Sequence, residues 1–162
     1  MNDKELALRA LNDADMDLLA SWLNKDYVLK WYHDADEWLA EIRGRHGAYS
    51  WIHHFIAVEG KTPVGFCQYY DCYDAKELED WYHVSTPGDT FSIDYLIGNE
   101  AYLGKGYGKA IVGLLTNAIQ AAESAKRIIV QPEKENHASN HVLTATGYVY
   151  DEAQKYYCKT LN

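Results

Sequence analysis

The sequence has few cysteines, few prolines and no long apolar run, and each shortage excludes a class of protein. Its 3 cysteines, Cys67, Cys72 and Cys158, have neither metal-ligand spacing nor the pattern of a disulfide framework. No apolar stretch approaches the roughly 20 residues that span a bilayer, and the first residues lack the basic and apolar regions of a signal peptide. We therefore expect a reduced cytoplasmic protein with no metal and no membrane partner.

Positive charge is also scarce. The chain has 15 Lys and Arg against 24 Asp and Glu, a formal net charge of −9. Because nucleic-acid binding depends on basic side chains that neutralise phosphates, a nucleic-acid partner is excluded and a cationic one is expected. Residues 71–94 contain only one basic residue, Lys76, and are either a solvated acidic loop or a cation-binding segment. Their acids are Asp71, Asp74, Glu77, Glu79, Asp80, Asp89 and Asp94.

With 3 prolines, no repeat and no Pro/Ser-rich linker, residues 1–162 are predicted to form a single domain. Alternating and β-branched runs predict strands at 5–11, 51–58, 63–70, 91–97, 127–130, 148–150 and 155–160. Helical spacing predicts helices after the caps Asn12 and Asp34, from Lys109 onward, and over 137–146 before Gly147. The order predicts an α/β (α+β) fold with a mixed, mostly antiparallel sheet of about seven strands, flanking helices and one parallel βαβ unit.

A glycine-rich turn lies between the strand at 91–97 and the long helix. Gly104, Gly106 and Gly108 allow close approach of a ligand to the backbone, and free N–H groups at a helix start attract anions. This pattern predicts a pyrophosphate site, with a plain tight connection as the alternative. The loop is not at the start of a parallel sheet, as dinucleotide binding requires, and no G-x-x-x-x-G-K-[ST] string is present.

The stretch Leu103-Gly104-Lys105-Gly106-Tyr107-Gly108 resembles the acyl-CoA loop of the GNAT superfamily of N-acetyltransferases, with Leu103 in place of the usual Gln or Arg. A second stretch, Asn136-x-x-Ser139-x-x-Val142-Leu143-x-x-x-Gly147-Tyr148, resembles the helix motif that follows the fifth strand in that superfamily. The resemblance implies the GNAT fold and acetyl-CoA as co-substrate. The implied cofactor-binding residues are Leu96, Ile97, Leu103, Gly104, Lys105, Gly106, Tyr107, Gly108, Lys109 and Asn136, with a helix cap as the alternative role of Asn136.

Nearly the whole chain resembles the aminoglycoside 6′-N-acetyltransferases, a branch that shares Leu103. Matching stretches include Trp22-Leu23-Asn24, Pro63-Val64-Gly65-Phe66-x-Gln68-x-Tyr70, Pro87-Gly88 and Ile93-Asp94-x-Leu96. The implied substrate-binding residues are Trp31, Tyr32, Glu79, Asp80, Trp81 and Asp94, with core packing as the alternative role of the aromatic ones.

Asp94 is the candidate general base. Strand alternation places Ser92, Asp94 and Leu96 on one face of 91–97, and a carboxylate among apolar strand positions is costly without a partner or a function. The alternative is an Asp satisfied by a neighbouring strand. The Ile-Asp motif of the aminoglycoside enzymes favours the base.

The general acid is a second departure from the superfamily pattern. Many members carry a tyrosine where this chain has Leu143, so Tyr107, Tyr148 or solvent takes that role, or none is needed. His53, His54 and His83 are spare candidates.

The predicted function is transfer of an acetyl group from acetyl-CoA to the 6′-amine of an aminoglycoside in a ternary complex, by a monomer or homodimer. A protein N-terminal or small-amine N-acetyltransferase is the alternative enzyme. A non-catalytic acyl-CoA-binding module is the alternative outside enzymes.

Overall fold

A seven-stranded mixed sheet is the centre of the molecule in the computed structural model, which describes residues 6–162. The strands are β1 Leu6–Ala10, β2 Ile52–Glu59, β3 Thr62–Asp71, β4 Thr90–Ile97, β5 Arg127–Val130, β6 Val149–Asp151 and β7 Tyr156–Thr160. They lie in the order β1-β2-β3-β4-β5-β7-β6, and within the described residues every pair except β4–β5 is antiparallel. The predicted sheet is confirmed; Glu5, predicted to begin β1, lies outside the described residues.

Within residues 6–162, five α-helices flank the sheet: α1 Met16–Leu23, α2 Asp26–Tyr32, α3 Ala35–Arg43, α4 Tyr107–Ala122 and α5 His137–Ala145. Asn12 caps a short 3-10 turn that leads into α1, and Asp34 caps α3 by accepting from the N–H groups of Asp36 and Glu37. The sequence did not predict α2, which has seven residues and no side-chain cap at Lys25. A seven-residue helix without a cap has too little periodic pattern to identify.

The two faces of the sheet are buried by different helices. Phe66 and Leu96 pack in one cluster with residues of α1, α2 and α3, whereas Ile93 packs in another with Ile111 of α4 and Leu143 of α5. The predicted alternation in β4 is therefore confirmed, and Asp94 lies on the face covered by α1–α3.

The parallel strands β4 and β5 are paired over only two residues of each strand within the described part of the chain. Thr90 pairs with Arg127 and Phe91 with Ile128, and the described pairing ends there. Farther along, hydroxyl groups from α2 bind the free edge of β4: Tyr32 accepts from the N–H of Tyr95 at 3.2 Å and donates to its carbonyl. The strands therefore diverge and leave a cleft beside β4.

The segment between β3 and β4 has no helix or strand but is folded onto the sheet. Cys72, Ala75 and Tyr82 are buried against residues that include Ile52 and Tyr156, and the Tyr82 hydroxyl donates to the carbonyl of Cys72 at 3.1 Å. The segment 71–89 therefore covers one end of the sheet and is not simply a solvated acidic loop.

Gly98 directly after β4 permits the close approach of Trp22 to the backbone. A Cβ at this position would lie 1.9 Å from a ring carbon of Trp22. We expect Gly98→Ala to lower the free energy of unfolding by about 2–3 kcal/mol through overpacking. Gly113→Ala, within α4 where an added Cβ meets nothing within 4 Å, is the control and should raise that energy by roughly 0.5–1 kcal/mol. Urea unfolding of both variants measures the difference, and equal midpoints would contradict it.

Candidate active site

A cavity of about 750 Å³ lies on the face of the sheet where β4 leaves β5. Its walls come from α2, α3, the segment 71–89, β4 and the chain between β5 and α5. None of its lining residues is Lys, Arg or His, and the charged ones are Glu37, Glu41, Glu79, Asp94 and Glu133. A cavity lined by one sign of charge concentrates ligands of the opposite sign, here cations.

Asp94 lies at the base of this cavity beside Gln68. The two residues face each other on β4 and β3, and the Gln68 amide nitrogen donates to Asp94 Oδ2 at 2.9 Å. Burial raises the pKa of Asp94 to about 6, the Gln68 hydrogen bond opposes this rise, and the charge of Glu79 adds to it. A carboxyl group with this pKa is ionised at neutral pH and readily accepts a proton.

Glu41 of α3 is a second carboxyl group with a perturbed pKa in the cavity. Its pKa is raised to about 7, first by burial and then by the negative charge of Asp94, while the side chain of Gln68 acts in the opposite direction. Neither Glu41 nor the role of Gln68 was predicted from the sequence. Glu41 occupies a polar position of an amphipathic helix, and only the packing of α3 over β3 and β4 identifies it as a residue of the cavity.

Five of the six predicted substrate-binding residues line the cavity: Trp31, Tyr32, Glu79, Trp81 and Asp94. The Trp81 indole donates to Glu79 Oε2 at 3.0 Å, which orients this carboxylate. Asp80 is exposed and is not among the lining residues. Of the two neighbouring acids, the structure brings Glu79 into the cavity.

Further aromatic side chains that the sequence analysis did not assign complete the walls: Trp38, Tyr49, Trp51, Tyr70 and Tyr95. Trp38 packs edge-on against Tyr32 with ring centroids 5.1 Å apart, and its indole donates to the Tyr32 carbonyl at 3.0 Å. Aromatic faces attract ammonium groups and pack on the apolar faces of sugars, so the walls complement the carboxylates.

The glycine turn precedes α4 with the geometry that an anion site requires. Gly104 and Gly106 have φ of 70° and 87°, and nothing lies within 4 Å of a Cβ added at either position. The N-terminus of α4 has no side-chain cap and no acid in its first turn, and Lys105 and Lys109 are exposed beside it. The N–H groups at this helix start are therefore available to a phosphate.

The other predicted cofactor-binding residues occupy different environments. Tyr107 is buried with its hydroxyl donating to Glu59, and Leu103 is 40% exposed. Asn136 caps α5 by accepting from the N–H of Ser139 at 3.2 Å, and it also lines the cavity.

Strand alternation separates the two predicted cofactor contacts on β4. The N–H of Gly98 donates to the carbonyl of Val64 of β3, so the backbone groups of Leu96 face β3 as well. Those of Ile97 face the free edge, where its carbonyl accepts from the Tyr27 hydroxyl at 2.6 Å.

The tyrosines proposed as general acids lie away from the cavity. Leu143 is fully buried, and the Tyr148 hydroxyl lies 3.0 Å from that of Thr116 in the core. Tyr95, which the sequence analysis did not consider, has its hydroxyl 2.6 Å from Ser139 Oγ, and both residues line the cavity. Tyr95 is therefore the tyrosine that the fold places beside α5 within the cleft.

Other kinds of site find no support in residues 6–162. No group of three or more His, Cys, Asp or Glu could hold a metal ion there. Burial raises the pKa of Cys67 above its usual range and that of Cys72 to about 12, so both remain thiols. In the same part of the chain no helix is long and apolar enough to cross a membrane.

The mixed sheet opens between its parallel strands next to a glycine turn and a long helix, an arrangement that this protein shares with acetyl-CoA-dependent N-acetyltransferases. The chain belongs to the acetyltransferase (GNAT) domain family, whose model matches residues 12–155. The fold and family inferred from the two motifs are confirmed.

Similar proteins are aminoglycoside N-acetyltransferases. The type 1 aminoglycoside N(6′)-acetyltransferases of Klebsiella pneumoniae and Serratia marcescens are each 24% identical over 141 residues, which is 83% of this chain and 69% of theirs. The structure of AAC(6′)-Ib in complex with paromomycin and acetyl-CoA superimposes with a TM-score of 0.81 at 23% identity, covering 96% of this chain and 93% of that one. An aminoglycoside N(6′)-acetyltransferase of Legionella pneumophila has a TM-score of 0.71 at 18% identity, covering 97% and 91%.

Proposed function

We propose that this protein transfers an acetyl group from acetyl-CoA to the 6′-amine of an aminoglycoside. The observation that carries the proposal is the cavity around Asp94, whose charged lining residues are all carboxylates and whose walls are aromatic. Its volume of about 750 Å³ lies within the range of small-molecule sites. A polycationic sugar is the ligand that such a surface complements. The similar proteins described above are named as aminoglycoside acetyltransferases.

The cleft and the glycine turn fit the co-substrate. Acetyl-CoA supplies the acetyl group as an activated thioester and leaves as the thiol. The backbone N–H groups at Gly104, Gly106 and the start of α4, with Lys105 and Lys109, would hold its pyrophosphate, because these groups are exposed and uncapped. The N–H of Ile97, which lies on the edge of β4 away from β3, would pair with its amide arm.

Asp94 acts as the general base in this proposal. An alkyl ammonium has a pKa of ~9–10, so the acceptor arrives protonated and must lose a proton before or as it attacks. Asp94, ionised above pH about 6, takes that proton, while Glu79, and Glu41 above its pKa of about 7, offer negative charge to the other ammonium groups of the acceptor.

Tyr95 assists the departing thiolate in this proposal, which its position beside Ser139 in the cavity supports. Burial raises its pKa, so the hydroxyl remains protonated and can donate a hydrogen bond to the sulfur as the C–S bond breaks. Full proton transfer is not required, since a thiol with a pKa of ~8.5 can leave as thiolate.

The acceptor is tested with two aminoglycosides that differ only in a 6′-amino or a 6′-hydroxyl group. We expect thiol release from acetyl-CoA with the 6′-amino compound and at least about 100-fold less with the other, because a neutral hydroxyl is a far weaker nucleophile toward the thioester. Product mass and NMR locate the acetyl group.

Three outcomes would contradict the proposal in different ways. Equal turnover of both compounds would place the acetylated amine elsewhere on the ring system. Turnover of a peptide N-terminus with neither aminoglycoside accepted would favour the protein N-terminal alternative. Binding of acetyl-CoA without any turnover would favour the non-catalytic module.

A further inference from the structure

A row of three polar side chains crosses the sheet beneath α3. His54 of β2 pairs directly with Gln68 of β3, and Gln68 pairs directly with Asp94 of β4. Side chains of directly paired residues lie on the same face with Cβ atoms about 4.5–5.5 Å apart. The row therefore leads from the buried interior of the molecule to the proposed base in the cavity.

Two of these side chains have an unsatisfied buried atom. His54 is 7% and Gln68 is 2% exposed, and neither His54 Nε2 nor Gln68 Oε1 has a hydrogen-bond partner among the described residues. Leaving a buried polar atom unpaired is costly, because the atom loses its hydration without gaining another partner. Gln68 Oε1 is an acceptor and His54 Nε2 can carry a proton, so the two atoms are complementary in hydrogen bonding.

His54 is neutral at the pH values at which Asp94 titrates, near pH 6. Burial lowers its pKa to about 4, and the positive charges of Arg45 and His53 act in the same direction. A neutral imidazole carries one N–H, and its tautomer is set by the partner that the ring finds. Gln68 Oε1 is the partner that favours the proton on Nε2.

We propose that His54 is a positioning residue: its Nε2–H reaches Gln68 Oε1 through one bridging water and so holds the Gln68 amide with its N–H toward Asp94. This proposal rests on the proposed function, in which Asp94 is the base. Without His54 the amide of Gln68 is oriented only by its interactions with Asp94 and Glu41, and a turn of the amide would bring its oxygen toward the carboxylates, which disfavours ionisation.

Other titratable groups surround Asp94, and these remain unchanged in the test. The charge of Glu79 of the segment 71–89 raises the pKa of Asp94, and the charge of Asp94 in turn acts on Glu41 of α3, Tyr32 of α2, Tyr70 of β3 and Tyr95 of β4. A change caused by His54 alone must therefore pass through Gln68.

The test compares His54→Leu, which removes the donor, with His54→Gln, which restores an N–H. In carboxyl ¹³C NMR titrations, His54→Leu should raise the pKa of Asp94 by about 0.5–1 unit, a 3- to 10-fold shift of its protonation equilibrium. The acidic limb of the kcat/KM profile should move to higher pH by the same amount, with KM for acetyl-CoA unchanged. His54→Gln should return both values toward those of the native protein.

His53→Leu is the matched control, because His53 stacks on Tyr69 at 4.5 Å on the opposite face of the sheet. It should leave the Asp94 titration unchanged.

Long-range ¹H–¹⁵N spectra should show His54 neutral and protonated at Nε2 from pH 5 to 8. A proton on Nδ1, or an unchanged Asp94 titration in His54→Leu, overturns the proposal. Both NMR readouts are independent of turnover, so absent acetyl transfer in the native protein would contradict the proposed function and leave this test intact.

Discussion

Asp94→Asn is expected to lower kcat/KM for acetyl transfer by ~10²- to 10⁴-fold, the range that a general base contributes. The amide keeps the shape of the side chain but cannot take a proton from the attacking amine. Because the glycine turn and the edge of β4 are unchanged, the Kd for acetyl-CoA should remain that of the native protein. Steady-state thiol release and calorimetric titration with CoA measure the two quantities.

The pH dependence follows from the raised pKa of Asp94. The base must be ionised, so activity of the native protein is expected to fall as pH decreases through about 6, the pKa of this carboxyl group. The variant should lose this limb of the profile. Retained activity with an unchanged acidic limb would remove Asp94 as the base and direct attention to Glu41, whose pKa is about 7.

The same substitution should stabilise the folded protein. Folding raises the pKa of Asp94 from 3.8 to about 6, so the carboxylate opposes folding increasingly as pH rises from about 4 to about 6 and fully above that. It has no effect below about pH 3, where the group is protonated in both states. At pH 8 Asp94→Asn should therefore raise the free energy of unfolding by up to about 3 kcal/mol, since one pKa unit corresponds to 1.36 kcal/mol.

Asp89→Asn provides a control with the same chemical change. Asp89 directly precedes the opposite end of β4, where its carboxylate lies 3.6 Å from Lys126. In Asp89→Asn, acetyl transfer and the acidic limb of the kcat/KM profile should be those of the native protein, and the gain in stability at pH 8 should be absent. A stability gain in both variants would mean that net charge, and not the burial of Asp94, causes it.

Local sequence signals predicted most of the fold. β5 begins and ends where its β-branched run does, at Arg127 and Val130, and the caps Asn12, Asp34 and Asn136 precede helical turns as their side chains predict. Strand β1 ends one residue before its predicted end, at Ala10, and β7 begins one residue after its predicted start, at Tyr156, because the ends of strands carry little periodic pattern. The helix α2 was missed because a capping side chain is lacking at Lys25.

The site was less accessible to sequence reasoning than the fold. Asp94 was identifiable because a carboxylate interrupts an apolar strand, and Trp31 and Tyr32 through resemblance alone. Glu41, Gln68 and Tyr95 enter the cavity only because α3 crosses β3 and β4 and because β4 separates from β5. Such crossings depend on long-range packing, which has no counterpart in local spacing. Of the neighbours Glu79 and Asp80, only the folded segment 71–89 could indicate which one faces the cavity.

Gly106→Glu is expected to raise the Kd for acetyl-CoA by at least about 100-fold, the equivalent of roughly 2.7 kcal/mol. The turn before α4 offers backbone N–H groups to the pyrophosphate, and charge-assisted hydrogen bonds of this kind contribute about 1.5–3 kcal/mol each. A carboxylate at Gly106 repels the phosphates and fills the space that the ligand needs. Nothing of the protein lies within 4 Å of the added Cβ, so the direct effect on packing is small.

The substitution also strains the backbone, because Gly106 has φ of 87°, which side chains other than glycine rarely adopt. Gly88→Glu separates the two effects: Gly88 has φ of 84°, its added Cβ also meets nothing within 4 Å, and it lies before β4, whereas the glycine turn follows that strand. Both variants should lose about 1–2 kcal/mol of folding stability, and only Gly106→Glu should lose affinity for CoA. Equal affinities in calorimetric titrations would show that the turn is a plain connection and that the pyrophosphate binds elsewhere.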